Sequence, residues 1–435
     1  MFKREKYLNL LIQKRNNHLV KVITGIRRCG KSYLLNQIFA PWLLTHGFDK
    51  DHIIRFSFDS EEDIIRLDSY LPEIPTVRKE NGQGLINDRK FLAYVKDQIK
   101  DDHPYCFLLD EIQNLEEFVR VLNSLASHEN FDVYVTGSNS HLLSSEVDTE
   151  FGGRASRIHL LPLTFAEYLE ESPLAPGEAL NEYLRYGGIP LVELGQSDEE
   201  KEEEAISIYR ETYLKDIKAR HPRTDMRKLE DSLHVIASMI STPINPSKIE
   251  NTFRSVYGVS LSDDTIDQYI SWCEEAYLLS RASRYDVKGR HYIGSPYKIY
   301  FEDIGIRNAI LNFRDVDQTD LIENVVYNEL RYREYQIDVG IVNIPAKEES
   351  GKRILKDTEV DFVAYKGPKK YYVQAAYRID SEKKKNQEYE SLRHIPDSFR
   401  KVIVVKEEGK PYFTEEGFLR ISLLDFLRNE NSLDL

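Results

Sequence analysis

The sequence predicts an α/β protein with a parallel sheet near its amino end, followed by a helical region and a carboxyl-terminal α+β domain. Short runs of β-branched and apolar residues alternate with helical patterns over residues 1–165, which favours parallel strands covered by helices on both faces. The pattern becomes helical after residue 165 and mixes helices with strands after residue 300. A length of 435 residues is sufficient for two to four such domains.

The composition is that of a globular protein, with 41% hydrophobic and 30% charged residues. The sequence has no apolar run near the ~18 residues of a membrane span and no signal-peptide pattern, so we expect a cytoplasmic protein without a membrane partner. The net charge of −14 argues against binding nucleic acid over the whole surface, because that requires a basic face. Cys29, Cys106 and Cys273 are too widely spaced for a CxxC zinc motif.

The first 165 residues contain apolar runs of strand length, separated by stretches with helical periodicity. The predicted strands are Leu19–Thr24, His52–Phe58, Tyr105–Leu109, Asp132–Thr136 and Arg157–Leu161. The predicted helices are Tyr7–Gln13, Lys31–Phe39, Asp88–Lys100 and Glu116–Ala126. These elements define the first predicted domain, residues 1–165.

Three further regions follow. Residues 166–225 are predicted to form a helical linker, interrupted by the sequence YGGIP and containing an acidic run that is typical of a solvated helix face. Residues 226–300 read as three helices and a hairpin around DVKGRHYI, the order of a winged helix-turn-helix. Residues 301–435 combine a helix at Thr319–Tyr332 with several strands, an α+β domain.

The segment Gly25–Ser32 matches the phosphate-binding pattern GxxxxGK[ST] and lies between a predicted strand and a predicted helix. In this context glycines let the backbone wrap around phosphates, and the N–H groups at the helix start bind the anion. A lysine at this position reaches the β- and γ-phosphates, and the following hydroxyl suits Mg2+. We expect ATP to contact Gly25, Arg27, Arg28, Cys29, Gly30, Lys31, Ser32 and Tyr33.

An Asp-Glu pair ends the apolar strand that begins at Tyr105. In open α/β sheets ligands bind at the carboxyl ends of the strands, which is where this pair is expected. We predict that Asp110 holds Mg2+ together with Ser32, and that Glu111 is the general base for an attacking water. Without the upstream phosphate loop, the same pair would read equally well as a helix cap.

Two polar segments extend the predicted site. The sequence VTGSNS ends another strand, and we expect Ser138 or Asn139 to lie near the γ-phosphate, although an ordinary Ser or Asx turn has the same pattern. Arg154 follows two glycines. It is interpreted either as an arginine finger, acting in cis or on a neighbouring subunit, or as a surface arginine paired with an acid. The predicted catalytic residues are thus Glu111, Lys31 and Arg154.

These motifs, followed by RIHLLPLTFAEYLE, resemble those of prokaryotic P-loop ATPases of the AAA+/STAND-like group. The sequences YGGIP, YLKDI and KIYFEDIGIRNAI resemble the carboxyl-terminal region that accompanies this ATPase core, a domain of unknown function. The resemblance covers nearly the whole chain. It implies a five-stranded ATPase core, a winged helix, and a terminal module similar to PD-(D/E)xK nucleases.

Within that resemblance, Glu329 corresponds to the nuclease helix acid and Asp361 to the strand acid. The next strand should carry acid-x-Lys, but it reads Gln374-Ala375-Ala376, which lacks both the charge and the amine. Arg378 shares the strand face of residue 374, yet arginine stays protonated and is a poor base. We therefore expect a degenerate nuclease fold that is inactive.

The predicted recognition helix, Leu261–Leu279, carries Asp263, Asp264 and Asp267 where a major-groove helix would present basic or amide side chains. The basic residues of the following hairpin, expected to contact phosphates if DNA binds, are Arg281, Arg284, Lys288 and Arg290. We favour a structural or protein-contact role for this module over DNA binding.

The predicted function is that of a cytoplasmic, Mg2+-dependent ATPase whose nucleotide state repositions its carboxyl-terminal modules. One alternative is an adaptor for DNA or protein in which hydrolysis is incidental. Another is an active, ATP-regulated nuclease. The partners considered are ATP, DNA through the winged helix, and a second protein or copy of the chain.

Overall fold

The computed structural model of the chain describes residues 2–80, 83–137, 151–258, 260–314, 318–347 and 353–435. These residues form two compact units. The first comprises Met1–Leu161 together with Glu275–Tyr277, and the second comprises Pro162–Glu274 and Leu278–Leu435. The observed division at residue 161 lies close to the predicted end of the first domain at residue 165.

The first unit is built on a five-stranded sheet with the order β2-β5-β6-β1-β7, in which all neighbouring strands are parallel. A separate antiparallel hairpin, β3–β4, follows β2 in the chain. The strands are β1 Val20–Thr24, β2 Ile53–Ser57, β3 Val77–Glu80, β4 Gln83–Ile86, β5 Tyr105–Asp110, β6 Phe131–Thr136 and β7 Ala155–His159. The predicted α/β class and parallel sheet are confirmed.

Helices connect these strands, as parallel strands require. The segment after β1 is helical from Lys31 to Thr45, and its middle turns, Leu34–Phe39, have π-helical hydrogen bonding. The other helices of the unit are Glu5–Gln13, Glu61–Arg66, Asp88–Gln98 and Phe118–Ala126. Every residue of β1, β5 and β6 is buried, so these strands form a core covered on both faces.

The second unit begins with helices that match the predicted helical region. Three of these helices, Met226–Ser238, Pro246–Tyr257 and Asp263–Glu275, correspond to the predicted helices of residues 226–300. The others in this part are Phe165–Glu171, Pro176–Tyr186, Asp198–Ser207 and Lys215–Arg220, with π-helical turns at Ile208–Leu214. The acidic run lies in the helix Asp198–Ser207, where most of its side chains are exposed or half-buried.

A mixed eight-stranded sheet forms the rest of the second unit, in the order β14-β15-β13-β12-β11-β10-β8-β9. Its strands are β8 Leu279–Asp286, β9 His291–Phe301, β10 Gln336–Lys347, β11 Arg353–Lys366, β12 Lys369–Ala376, β13 Arg400–Val405, β14 Tyr412–Phe413 and β15 Leu419–Ser422. The associated helices are Ile304–Ile310, Gln318–Tyr332, Glu382–Arg393 and Leu423–Arg428. β9 pairs with β8, and β8 pairs with β10. The predicted boundary at residues 300 and 301 therefore falls inside one strand of a continuous sheet.

The YGGIP sequence forms a turn that is hydrogen-bonded to Asp303, the residue before the helix Ile304–Ile310. Asp303 caps that helix, because its Oδ1 accepts a hydrogen bond from the Ile306 N–H at 2.9 Å. Its Oδ2 accepts a hydrogen bond from the Gly188 N–H at 2.7 Å. Gly187 has φ +78°, and a Cβ there would lie 2.3 Å from the Asp303 carboxylate. Both the conformation and the close approach thus require glycine. In the described residues, no helix is long and apolar enough to cross a membrane.

Candidate functional site

The polar residues of the first unit converge on the carboxyl-terminal edge of its sheet. In the register, Ile23 of β1 lies opposite Thr136 of β6, and Ser57 of β2 lies opposite Asp110 of β5. The strands are parallel, so the loops after β1, β5 and β6 all leave the same edge. This edge is where the sequence predicted a nucleotide site.

The loop after β1 has the backbone shape that phosphate binding requires. Gly25 has φ +144°, and a Cβ there would lie 2.2 Å from the carbonyl oxygen of Leu160. Gly30 has φ +101° and immediately precedes the helical segment. The loop therefore needs glycine at both positions, and it aims the N–H groups of a helix start toward the edge of the sheet.

Lys31 is held beneath this loop. Its side chain is buried, and Nζ donates to the carbonyl oxygens of Gly25 at 2.9 Å and Ile26 at 3.1 Å. These acceptors are neutral, so the ammonium charge is not compensated by them. The Lys31 ammonium is thus held against the backbone of the loop, a position that fits a contact with a phosphate group.

The other residues predicted to contact nucleotide differ in exposure. Ser32 and Arg28 are exposed, whereas Arg27 and Tyr33 are half-buried. Cys29 is fully buried, so its thiol is turned inward and only its backbone is available to a ligand. A thiol contact is therefore not part of this site.

Asp110 is joined to two hydroxyl groups from neighbouring elements. Ser32 and Thr136 each form a side-chain hydrogen bond with its carboxylate, and Asp110 is only 7% exposed. Burial raises the pKa of Asp110, although the two hydrogen bonds act in the opposite direction. The predicted metal ligands, Ser32 and Asp110, thus lie together. Hydroxyl and carboxylate oxygens are suitable donors for Mg2+, so the site fits the expected cation.

Glu111 begins the loop after β5 in a left-handed conformation, with φ +52°. Its backbone N–H donates to the Thr136 hydroxyl at 3.0 Å, and the Gln113 amide donates to its carboxylate. The sequence reasoning did not single out Thr136 or Gln113. The sequence could have indicated Thr136, because this residue ends a buried strand at the same edge of the sheet as Asp110.

Two other predicted residues have different outcomes. Asn139, like Ser138, lies outside the described residues. Arg154 is exposed and directly precedes β7, where its carbonyl oxygen accepts the Val20 N–H at 2.8 Å. This contact places Arg154 at the amino-terminal edge of the sheet, about 16 Å from the phosphate loop at ~3.3 Å per strand residue. This position is too distant for an arginine finger in cis, so action on another copy of the chain and a surface arginine paired with an acid both stay as predictions.

Glu329 and Asp361, the two predicted nuclease acids, have different partners in the second unit. Glu329 is buried, and its carboxylate accepts a hydrogen bond from Arg333 Nε at 2.8 Å. The same guanidinium donates a hydrogen bond to the Ser432 hydroxyl at 3.0 Å. Glu329 is thus part of an internal ion pair, and its correspondence to the helix acid stays a prediction. Arg378 is exposed, and its nearest described acid is Glu407 at 3.3 Å.

Asp361 belongs to a cluster that the sequence did not reveal. Lys298 of β9 is 2% exposed, and its Nζ lies 2.8 Å from Glu323, 2.6 Å from Glu359 and 3.7 Å from Asp361. Burial alone would lower the pKa of the Lys298 ammonium, but the three carboxylates raise it above its ordinary value. Burial and the nearby Glu323 raise the pKa of Asp361. The carboxylates around Lys298 thus come from the helix Gln318–Tyr332 and from β11, and the amine comes from β9.

The hairpin β8–β9 does not present all of its basic residues to solvent. Arg281 donates to Asp267 at 2.7 Å and to Glu274 at 2.6 Å, so two acids of the predicted recognition helix engage it. Lys288 Nζ donates to the carbonyl oxygen of Asn343 at 2.5 Å. The two carboxylates offset the charge of Arg281, whereas the carbonyl oxygen is neutral and does not offset that of Lys288.

Comparison with known protein families matches both parts of the chain. The AAA domain family matches residues 17–169. A second family, "Domain of unknown function (DUF8612)", matches residues 177–317 and so extends across two of the predicted boundaries, those at 225 and 300.

Whole-chain relatives are also found. An uncharacterized protein of Haemophilus influenzae is 32% identical over 436 residues, covering 98% of each chain. An uncharacterized protein of Methanocaldococcus jannaschii is 25% identical over 423 residues, covering 93% of this chain and 85% of its own. Among solved structures, the Walker-type ATPase of Pyrococcus abyssi is 14% identical and covers 72% of this chain and 96% of its own, with a TM-score of 0.47. The chain therefore belongs to the family of the Haemophilus influenzae protein, and its amino-terminal part is an AAA domain, a P-loop ATPase fold.

Proposed function

We propose that this chain binds ATP with Mg2+ at the carboxyl-terminal edge of the first sheet and hydrolyses it. The observation that carries the proposal is the network that joins Ser32, Asp110, Thr136 and Glu111 beside the loop of Lys31. Its support for the proposal is that the Ser32 hydroxyl, the Asp110 carboxylate and the backbone of Glu111 are linked through hydrogen bonds beside the glycine-bearing loop. AAA domains with these parts are built for phosphoryl transfer to water.

In the proposed reaction, the loop N–H groups and Lys31 bind the β- and γ-phosphates. Ser32 and Asp110 hold Mg2+, which when bound neutralises charge on the phosphate oxygens. Glu111 accepts a proton from a water whose oxygen forms a bond to the γ-phosphorus, while the bond from that phosphorus to the leaving oxygen of ADP breaks. The products are ADP and inorganic phosphate.

This assignment is tested by comparing three variants. Lys31→Ala should abolish ATP binding, measured by equilibrium titration with a fluorescent ATP analogue. Glu111→Gln should retain binding but lower turnover by about 10²–10⁴-fold, the usual contribution of a general base. Glu129→Gln, which alters an exposed carboxylate of the same unit, is the matched control and should leave both unchanged. An unaltered rate in Glu111→Gln would show that Glu111 is not the base.

Nucleotide state is proposed to act as a switch on the second unit, since γ-phosphate contacts order loops that hydrolysis releases. The adaptor alternative predicts that DNA or protein binding does not depend on hydrolysis. Measuring ATPase activity with and without duplex DNA, together with the oligomer mass in each nucleotide state, separates the two. Salt-dependent DNA binding that Arg284→Ala and Lys288→Ala weaken would favour the adaptor. We propose that the protein acts in the cytoplasm.

A second candidate function is metal-dependent cleavage of phosphodiester bonds by the second unit. The cluster of Glu323, Glu359 and Asp361 around Lys298 favours it, because it combines carboxylates suited to a divalent cation with an amine. This proposal replaces the expectation of an inactive module, which rested on the missing lysine at residue 376.

The test of this candidate is cleavage of labelled DNA or RNA with Mg2+ or Mn2+. Asp361→Asn preserves the shape of the side chain and should abolish cleavage, whereas Asp357→Asn on the same strand alters an exposed carboxylate and should not. If the wild-type chain cleaves no substrate with either cation, or if Asp361→Asn cleaves as well as the wild type, the cluster is an ion-pair network that stabilises the sheet.

A further inference from the structure

A second polar cluster of the first unit lies at the edge of the sheet opposite the phosphate loop. It consists of His52, at the start of β2, and Asp101 and His103, which precede β5. Ile53 is opposite Cys106 in the register, so the residues just before these two strands are held next to each other. The cluster is thus created by strand pairing between segments 49 residues apart.

Both imidazoles face the same carboxylate. His52 Nε2 lies 3.1 Å from Asp101 Oδ1 and 3.2 Å from Oδ2, and His103 Nδ1 lies 3.1 Å from Oδ1. The ligand atoms of the three side chains all lie within 4.8 Å of one another. A tetrahedral ion with bonds of about 2.0–2.1 Å holds its ligand atoms roughly 3.4 Å apart, so small side-chain rotations suffice to surround one ion.

Neighbouring groups restrict the side chains of His52 and Asp101, whereas the side chain of His103 is exposed. The His52 side chain is 16% exposed and packs on the Tyr105 ring, with 4.7 Å between ring centroids. The backbone N–H of His103 donates to Asp101 Oδ1 at 3.0 Å, which fixes that carboxylate. The His103 side chain is 74% exposed and is therefore able to rotate.

We infer that His52, Asp101 and His103 form a binding site for Zn2+ that is separate from the nucleotide site. Two imidazoles and one carboxylate are a donor set that Zn2+ favours, and three protein ligands leave a fourth position for water. Mg2+, which prefers oxygen ligands, should not compete there. An ion at this position would link the start of β2 to the segment before β5, so its binding should stabilise the first unit.

The test is calorimetric titration of the metal-free, nucleotide-free full chain with ZnCl2, combined with thermal unfolding. We expect one ion per chain and a rise in the unfolding temperature of the first unit. His103→Ala and Asp101→Asn should weaken binding at least tenfold, whereas Asp102→Asn, which removes the adjacent exposed carboxylate, should bind as the wild type does. Circular dichroism verifies that each variant is folded.

Three results would overturn the inference. The first is the absence of both binding heat and an unfolding shift with 100-fold excess Zn2+. The second is zinc binding of equal strength in the wild type, His103→Ala and Asp101→Asn, which would place the ion elsewhere. A tenfold excess of MgCl2 over the zinc should not reduce binding, and complete displacement would also contradict a site of imidazole ligands.

Discussion

Thr136 links Asp110 to the backbone of Glu111 in the proposed nucleotide site although it bears no charge. Its hydroxyl donates to Asp110 and accepts the backbone N–H of Glu111 at 3.0 Å, and its side chain is fully buried. One hydroxyl thus orients Asp110, the predicted metal ligand, and the backbone of Glu111, which has a left-handed conformation. A hydroxyl suits this position because its single oxygen both donates and accepts a hydrogen bond.

We expect Thr136→Val, which keeps the shape of the side chain, to disturb the Asp110 carboxylate and the backbone of Glu111. Stability should fall by about 1–3 kcal/mol, because a buried N–H and a buried carboxylate each lose a partner. The Mg2+ concentration for half-maximal ATPase activity should rise. Chemical denaturation and a Mg2+ titration of activity measure the two effects. Thr45→Val removes the hydroxyl of an exposed threonine and should change neither quantity, so equal effects in the two variants would contradict this role.

Glu193 illustrates how one buried acid makes stability depend on pH. Its side chain is 5% exposed, and burial raises its pKa to about 7, with Lys201 at 3.6 Å opposing the shift. The folded chain therefore holds a proton that the unfolded chain releases near its usual pKa of 4.5. The stability that this group contributes is present below pH 4.5 and is lost as the pH rises toward 7.

The corresponding prediction compares the wild type with Glu193→Gln across that pH range. Between pH 4.5 and pH 7 the unfolding free energy of the wild type should fall relative to the variant, by up to about 3 kcal/mol. Denaturant titrations at several pH values measure the difference. Parallel curves for the two proteins would show that Glu193 ionises normally in the folded chain.

At the scale of elements, the phosphate loop depends on two glycines for different reasons. Gly30 needs glycine only for its positive φ, since no atom lies within 4 Å of a Cβ built there. Gly25 has a positive φ and in addition faces the carbonyl oxygen of Leu160, which belongs to the segment after β7. The loop and the strand beside β1 are thus packed without room for a methyl group.

Gly25→Ala should therefore be more destabilising than Gly30→Ala. Strain at a left-handed position costs roughly 1–3 kcal/mol, which sets the expected loss for Gly30→Ala. Gly25→Ala adds a contact of 2.2 Å with backbone, which the structure has to relieve by shifting β1 or the segment after β7. Chemical denaturation of both variants tests this order, and equal losses would show that the Leu160 segment moves freely.

The sequence predicted the elements whose physics is local. The phosphate loop and the strands around it were correct because glycine spacing, apolar runs and helix starts are all visible within about ten residues. The hairpin β3–β4 was missed, since its residues are neither strongly apolar nor regularly alternating. The partners of Asp361 were missed for another reason, because Lys298 belongs to β9, which is not a sheet neighbour of β11 and lies mostly on the other side of the predicted boundary.

At the scale of the whole molecule, two compact units contain separate hydrophobic cores. One core surrounds the parallel sheet, and the other packs the helix Glu382–Arg393 on the eight-stranded sheet. A ligand of one unit stabilises that unit by mass action, by about 2.7 kcal/mol at 100 times its dissociation constant. Calorimetry is able to resolve such a selective effect.

We expect thermal unfolding to show two transitions, only one of which moves to higher temperature with Mg2+ and ATP. The moving transition should be that of the first unit, which contains the phosphate loop. Lys31→Ala, measured under the same conditions, should unfold without this shift. A single transition that shifts as a whole would instead indicate that the two units unfold as one cooperative system.

The hairpin β8–β9 determines where a fragment of the second unit has to begin in order to keep the eight-stranded sheet. A fragment that begins at residue 301 loses both strands and leaves β10 as an edge, with a row of main-chain groups ready to pair with another chain. It also loses Lys298, and three carboxylates then repel one another inside the sheet. Such a fragment should aggregate, whereas one that begins before Leu279 keeps the whole sheet.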